Sequence, residues 1–215
     1  DGEKTVSGTL GVKDGVLAFT FPDFAVTVEE EKKHAADPKA AEEVKSELNE
    51  IIGLSEVKDY VLSLEQNYII QRLREARGMK ADVPTMHMIF TGNPGTGKTT
   101  IARLVSRYLK AMGVLSGGQL IEVTRADLVG KYVGHTAPLT QQVIRSALGG
   151  VLFIDEAYSL YRGADDSFGL EAIDTIVKGM EDHREDLIVI LAGYTKEMEE
   201  FLTANSGLRS RFPNI

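Results

Sequence analysis

The residues from Gly92 to Thr100 have the types and the spacing to hold a phosphate. They read Gly92-Asn93-Pro94-Gly95-Thr96-Gly97-Lys98-Thr99-Thr100, and Gly92 to Thr99 fit the pattern G-x-x-x-x-G-K-[ST]. The three glycines let the backbone take positive φ and approach a ligand more closely than a side chain would permit. Successive N–H groups then form a nest for an anion at the positive end of a helix beginning near Lys98. Lys98 is suited to neutralise β- and γ-phosphates, and the Thr99 hydroxyl to hold Mg2+.

A second group of candidates is the pair Asp155-Glu156, which ends the apolar run Gly150-Val151-Leu152-Phe153-Ile154. Beside a bound nucleotide, Asp155 can accept from the waters of Mg2+ or from Thr99. Glu156 can polarise a water for hydrolysis. Tyr194-Thr195 end another apolar run, Leu187 to Ala192 with Gly193, and offer two hydroxyls to a γ-phosphate or to that water. The segment Lys131-Tyr132-Val133-Gly134-His135 sets an aromatic and an aliphatic residue between Gly130 and Gly134. It reads either as a loop packed on its own domain or as a mobile loop gripping a polypeptide, and the residue pattern leaves both open.

The elements that must position these residues are strands of continuous apolar character: Met86 to Thr91, Gln119 to Val123, Gly150 to Ile154 and Leu187 to Ala192. Helical segments separate them, as in a parallel sheet covered on both faces. In such sheets ligands sit at the carboxyl ends of the strands. Ile101, Leu104, Val105, Leu109 and Met112 mark the buried face of the helix after Lys98. Upstream, Ser55 is a plausible N-cap for a helix reaching about Arg77, with Val57, Val61, Leu64 and Tyr68 at helical spacing and Leu62, Ile69 and Leu73 beside them. Ile52-Gly53 just before it read as a core-entry turn, or as an apolar pair against a purine ring.

Residues 1–28 form a small β-rich extension of about three short strands, with Asp14-Gly15 as a hairpin turn. Residues 29–47 are charged and alanine-rich, split by Pro38, and read as a solvated helical linker. The rest, 48–215, is one α/β domain. The 215 residues are 43% hydrophobic and 26% charged, with no cysteine and a net charge of −8. That balance suits a soluble cytoplasmic protein and argues against non-specific nucleic-acid binding. The four histidines, His34, His87, His135 and His183, lack metal-ligand spacing. No apolar run approaches the roughly 18 residues of a membrane span, and no signal peptide is read. Lacking an initiator methionine, the chain reads as a piece of something longer.

Together the stretches 92–100, 132–138 (Tyr-Val-Gly-His-Thr-Ala-Pro), 149–160 (Gly-Gly-Val-Leu-Phe-Ile-Asp-Glu-Ala-Tyr-Ser-Leu), 168–173, 191–194 and 207–213 resemble an AAA+ ATPase. The branch is the one containing the Rubisco activase CbbX and stage V sporulation protein K, and the ending Ser-Arg-Phe-Pro-Asn inclines towards the sporulation type. The resemblance implies a three-layer P-loop NTPase core with a mostly parallel five-stranded-type sheet, ending before its helical lid. It implies ATP and Mg2+ as ligands, a homo-hexamer as the assembly, and a protein substrate drawn through a central pore, while the acidic balance argues against nucleic acid and the lack of a long apolar run against a membrane as partners. Residue by residue, Gly92 to Thr99 match Walker A, Asp155 and Glu156 match Walker B, and Tyr194 falls at sensor 1, with Thr195 the alternative. Ile52-Gly53 match the adenine-side box, and Tyr132-Val133-Gly134 the pore loop. Arg211 matches the arginine finger reaching a neighbouring subunit's nucleotide, ahead of Arg209. Ser206 departs from the branch, which usually has proline there.

Overall fold

A computed structural model describes residues 9–13, 16–20, 25–27, 36–51, 55–77 and 85–212. The chain divides into two compact units, Asp1–His34 and Ala35–Ile215. In the first, β1 (Thr9–Lys13), β2 (Val16–Thr20) and β3 (Ala25–Thr27) make an antiparallel meander in the order β1-β2-β3. The β1–β2 ladder runs from Thr9 opposite Thr20 to Lys13 opposite Val16. Asp14-Gly15, the expected turn, lie outside the described residues.

The second unit opens with α1 (Pro38–Glu50), whose start is chemically well marked. Asp37 accepts from the N–H groups of Lys39 and Ala40, both at 3.1 Å, and Pro38 occupies the first turn, where its missing donor costs nothing. Although charged overall, α1 buries Ala41, Val44 and Leu48 against the helix that follows Lys98, so the stretch expected as a solvated linker is, from Pro38 on, part of the core. Lys45 pairs with Glu65 at 2.7 Å and Arg107 with Glu47 at 2.7 Å, which ties its polar sides to neighbouring helices. The helix α2 (Ser55–Ala76) buries Val61 and Leu64, while Ile69, Ile70 and Leu73 are about half exposed. The apolar periodicity there thus runs past the face that is covered. Among the described residues no helix is long and apolar enough to cross a membrane.

Four parallel strands follow: β4 (Met88–Thr91), β5 (Leu120–Val123), β6 (Gly150–Ile154) and β7 (Leu187–Gly193), in the order β4-β7-β6-β5. The chain therefore crosses from β4 to the far edge and returns inward strand by strand. Connecting them are α3 (Lys98–Ala111), the short α4 (Arg125–Leu128), α5 (Thr136–Ala147) and α6 (Ser167–Asp182), with α7 (Thr195–Ala204) and α8 (Ser206–Arg209) after β7. Every residue of β6 and β7 is buried, which is why these strands read as unbroken apolar runs.

Side-chain alternation divides the sheet into two faces. Val151, Phe153, Ile188 and Ile190 join the cluster under α1, α2 and α3. Leu152, Ile154, Val189 and Leu191 join the one under α4 to α7. The result is an α/β fold of three layers, with all four strands directed the same way.

Candidate functional site

The phosphate-loop candidate leaves the carboxyl end of β4 and runs into α3. Gly95 and Gly97 hold φ of +73° and +81°, and a Cβ at either would meet nothing within 4 Å. Their requirement is therefore conformational, since an L side chain rarely adopts that backbone. Gly92 N–H donates to Gly193 O at 3.2 Å, which anchors the loop to the end of β7. Gly97 caps α3 without any side-chain hydrogen bond, so the first amides of this helix carry its positive end towards the loop unmet by a capping side chain. Lys98 Nζ donates to Gly92 O and Asn93 O, both at 3.0 Å, and Thr96 Oγ1 to Asn93 O at 2.9 Å. The cation is thus folded over the loop it follows. Asn93, Pro94 and Thr100 are exposed along its rim.

Asp155 directly follows β6, and its N–H continues the ladder to Val123 O at 2.9 Å. Its Oδ1 accepts from Glu156 N–H at 3.0 Å. Glu156 has φ +48° and ψ +45°, making it the one positive-φ non-glycine among the described residues. A left-handed glutamate costs on the order of 1 kcal/mol. The turn holding it, a 3-10 segment over Ala157–Leu160, is fastened from outside. Arg125 Nη1 donates to Ser159 O at 2.9 Å, Leu160 O at 3.0 Å and Asp166 Oδ2 at 2.7 Å, and Nη2 to Asp166 Oδ1 at 3.0 Å. Asp166 also caps α6 by accepting from Gly169 N–H, and the Arg125 guanidinium holds its carboxyl below the usual range.

Thr99 Oγ1 donates to Glu122 Oε1 at 3.3 Å. Glu122 stands opposite Phe153 in the β5–β6 ladder, hence on the α3 face, the face that Asp155 continues two residues on. At the end of β7, Tyr194 stacks on Tyr158 with centroids 5.8 Å apart and planes 28° apart. Burial, and then the charges of Glu156 and its neighbours, push the Tyr158 phenol up. A Cβ on Gly193 would come within 2.8 Å of Met198 and of Tyr158, so this corner is filled by the tyrosine pair. Thr195 opens α7 and is exposed.

Other sequence candidates lie elsewhere. Arg211 donates to Gly207 O at 2.9 Å and lies 3.1 Å from Glu181, at the end of α6. Its neighbour Phe212 packs on His87, with ring centroids 5.9 Å apart. His87 precedes β4, whereas the phosphate loop follows it; at about 3.3 Å per residue the two ends are roughly 16 Å apart. Arg209 is exposed in α8. Tyr132 and Val133 are 67% and 88% exposed, so this loop is not packed on its own domain. Its ends are secured: Gly130 N–H donates to the buried Thr136 hydroxyl at 3.1 Å, and the Tyr132 ring stands edge-on to His135 at 5.5 Å. Gly134 has φ +80°. Ile52-Gly53 lie outside the described residues.

The donor set fits a nucleotide with a hard cation. Thr99 and Asp155 offer oxygen, the preference of Mg2+, which also takes phosphate oxygens as ligands, and Glu122 accepts from Thr99 beside them. Among the described residues no group of three or more His, Cys, Asp or Glu side chains is placed to hold a metal ion. Three residues here escape sequence reasoning. Glu122 reads only as part of the strand Gln119 to Val123, and Tyr158 only as part of the stretch 149–160. Arg125, which fastens the Glu156 turn, gave no signal at all.

The model of the family described as "ATPase family associated with various cellular activities (AAA)" matches residues 88–215. Stage V sporulation protein K of Bacillus subtilis (strain 168) is 49% identical over 182 residues, covering 85% of this chain and 56% of that protein. Protein CbbX of Cereibacter sphaeroides is 50% identical over 173 residues, covering 80% and 56%. A chloroplastic ribulose bisphosphate carboxylase/oxygenase activase of Cyanidioschyzon merolae is 49% identical over 166 residues, covering 77% and 57%. The chain thus spans a little over half the length of the relatives it matches. Among solved structures, the AAA domain of FIGL-1 in complex with ADP superposes with a TM-score of 0.52 at 23% identity, covering 76% of this chain and 52% of that one, a likeness of fold.

Proposed function

Because the chain belongs to the ATPase family associated with various cellular activities, we propose that it binds and hydrolyses ATP as one subunit of a ring that remodels a protein substrate. One juxtaposition carries this reading: the loop Gly92–Thr99 and the pair Asp155-Glu156 leave the carboxyl ends of strands of one parallel sheet. In this reading the loop amides and Lys98 would grip the phosphates, and Thr99 with Asp155 would hold Mg2+. When bound there, the cation would supply charge neutralisation to the phosphates. Glu156 takes a proton from the attacking water while the tyrosine pair borders it. Ile52 and Gly53 are proposed to flank the adenine.

The assembly proposed is a homo-hexamer in which Arg211 serves the neighbouring subunit's nucleotide. The location of Arg211 beyond the far end of β4 supports service in trans, because its own loop lies at the opposite end of that strand. Tyr132, Val133 and Gly134 are proposed as the loop that grips the substrate, on the strength of their exposure. We favour a sporulation-protein-K-like role in the cytoplasm, without membrane or nucleic-acid partners. A Rubisco activase of the CbbX type is the second reading, which the 50% identity to CbbX supports equally.

The test is ATPase rate per subunit against protein concentration, on this chain and on a form as long as its relatives. The expected result is a rate that climbs as subunits assemble. A rate independent of concentration across that range would refute the trans role of Arg211, and absence of hydrolysis by the longer form would refute the enzyme reading.

A further inference from the structure

Thr99 has one proton, and in this structure it goes to Glu122: Oγ1 donates to Oε1 at 3.3 Å. Asp155, the other carboxylate on this face, directs Oδ1 to the N–H of Glu156. A hydroxyl that ligates a cation does so through a lone pair, so its proton must point away from the cation to an acceptor. Groups that take such protons orient the ligand, and their loss typically lowers metal affinity about 10- to 100-fold.

We propose that Glu122 is a positioning residue for the cation of the nucleotide site: it accepts the Thr99 proton and turns the hydroxyl's lone pairs towards the metal. The inference rests on the reading of Gly92–Thr99 as a nucleotide loop. Three observations support it. Glu122 is the only charged residue of β5. Its place opposite Phe153 sets it on the same face as Asp155. Its side chain is exposed rather than packed in the core, and its hydrogen bond is the one to Thr99.

The experiment titrates Mg2+ into the chain with a fluorescent ADP analogue, reading nucleotide binding rather than turnover. Glu122→Ala should bind the analogue in EDTA as the unaltered chain does, yet need about 10- to 100-fold more Mg2+ to reach the metal-dependent affinity. Glu122→Gln keeps an acceptor oxygen and should recover at least half of that loss on a logarithmic scale. With Thr99→Ala already present, Glu122→Ala should add nothing, because it acts through the hydroxyl. An unchanged Mg2+ midpoint in Glu122→Ala, a glutamine no better than alanine, or an additive effect with Thr99→Ala would each overturn the assignment while leaving the nucleotide site standing. If the unaltered chain binds no ADP analogue with or without Mg2+, the reading of the loop itself fails and Glu122 falls with it.

Discussion

Arg211 Nε lies 3.1 Å from Glu181 Oε1, an ion pair without hydrogen-bond alignment, so this arginine rests against the last turn of α6 in the same chain. The two side chains are 30% and 54% exposed, and pairs in such a setting contribute at most about 1 kcal/mol. Arg211→Ala should therefore leave the denaturation midpoint almost unmoved. In an assembled ring its ATPase rate should fall by about 10^3 or more, since an arginine supplied to a neighbour acts on the transition state. Chemical denaturation beside an ATPase assay separates the two effects, and a large loss of stability with intact turnover would invert the assignment.

His87 links pH to stability. Its Nδ1 accepts from Val189 N–H at 3.0 Å, and burial pushes its pKa down from 6.5 to about 4. The unfolded chain then binds the proton more readily, so this contribution is complete above about pH 6.5 and lost as pH falls towards 4. The whole difference is roughly 3 kcal/mol. In urea unfolding at pH 7 and pH 4.5, the unaltered chain should lose more stability between the two than His87→Gln does. Equal losses would show that the imidazole is not the responsible group.

The pair Arg125–Asp166 is more enclosed, with side chains 16% and 12% exposed. Arg125→Ala leaves two carbonyls without this donor and the largely enclosed Asp166 carboxylate with only the Gly169 N–H, and should cost roughly 3 kcal/mol. Arg125→Lys cannot reproduce the fork and should recover only part. Thermal unfolding measures both, and a lysine variant as stable as the parent would show that charge alone suffices.

Tyr132 gives the opposite expectation. At 67% exposure its removal has little packing to lose, so Tyr132→Ala should change stability by no more than about 0.5 kcal/mol. ATPase should survive while remodelling of a protein substrate collapses. Persistence of remodelling would sink the gripping role.

What the sequence reveals here is what local spacing can encode. The glycine-rich loop is contiguous, and β6 and β7 are buried on both faces, so their apolar runs cannot be mistaken. The buried face of α1 was hidden by its charge, because Ala41, Val44 and Leu48 are a minority among lysines and glutamates. Periodicity overreached in α2, where Ile69 and Leu73 share a helical pattern with buried residues but remain exposed. Glu122 and Arg125 were illegible for a different reason. Their partners lie 23 and 34 to 41 positions away, at distances set by strand order rather than by any motif.

That separation bears on how the protein comes into being. The turn that holds Glu156 in its left-handed conformation is fastened by a guanidinium 34 and 35 residues earlier and by the cap of α6 behind it. Contacts closed across such lengths of chain form late in folding, after the loops between them have been drawn in. The turn at Glu156 should thus mature only after α4 and the start of α6 have been brought together. Amides around Ser159 and Leu160 should gain protection from hydrogen exchange only when α4 and α6 have both docked.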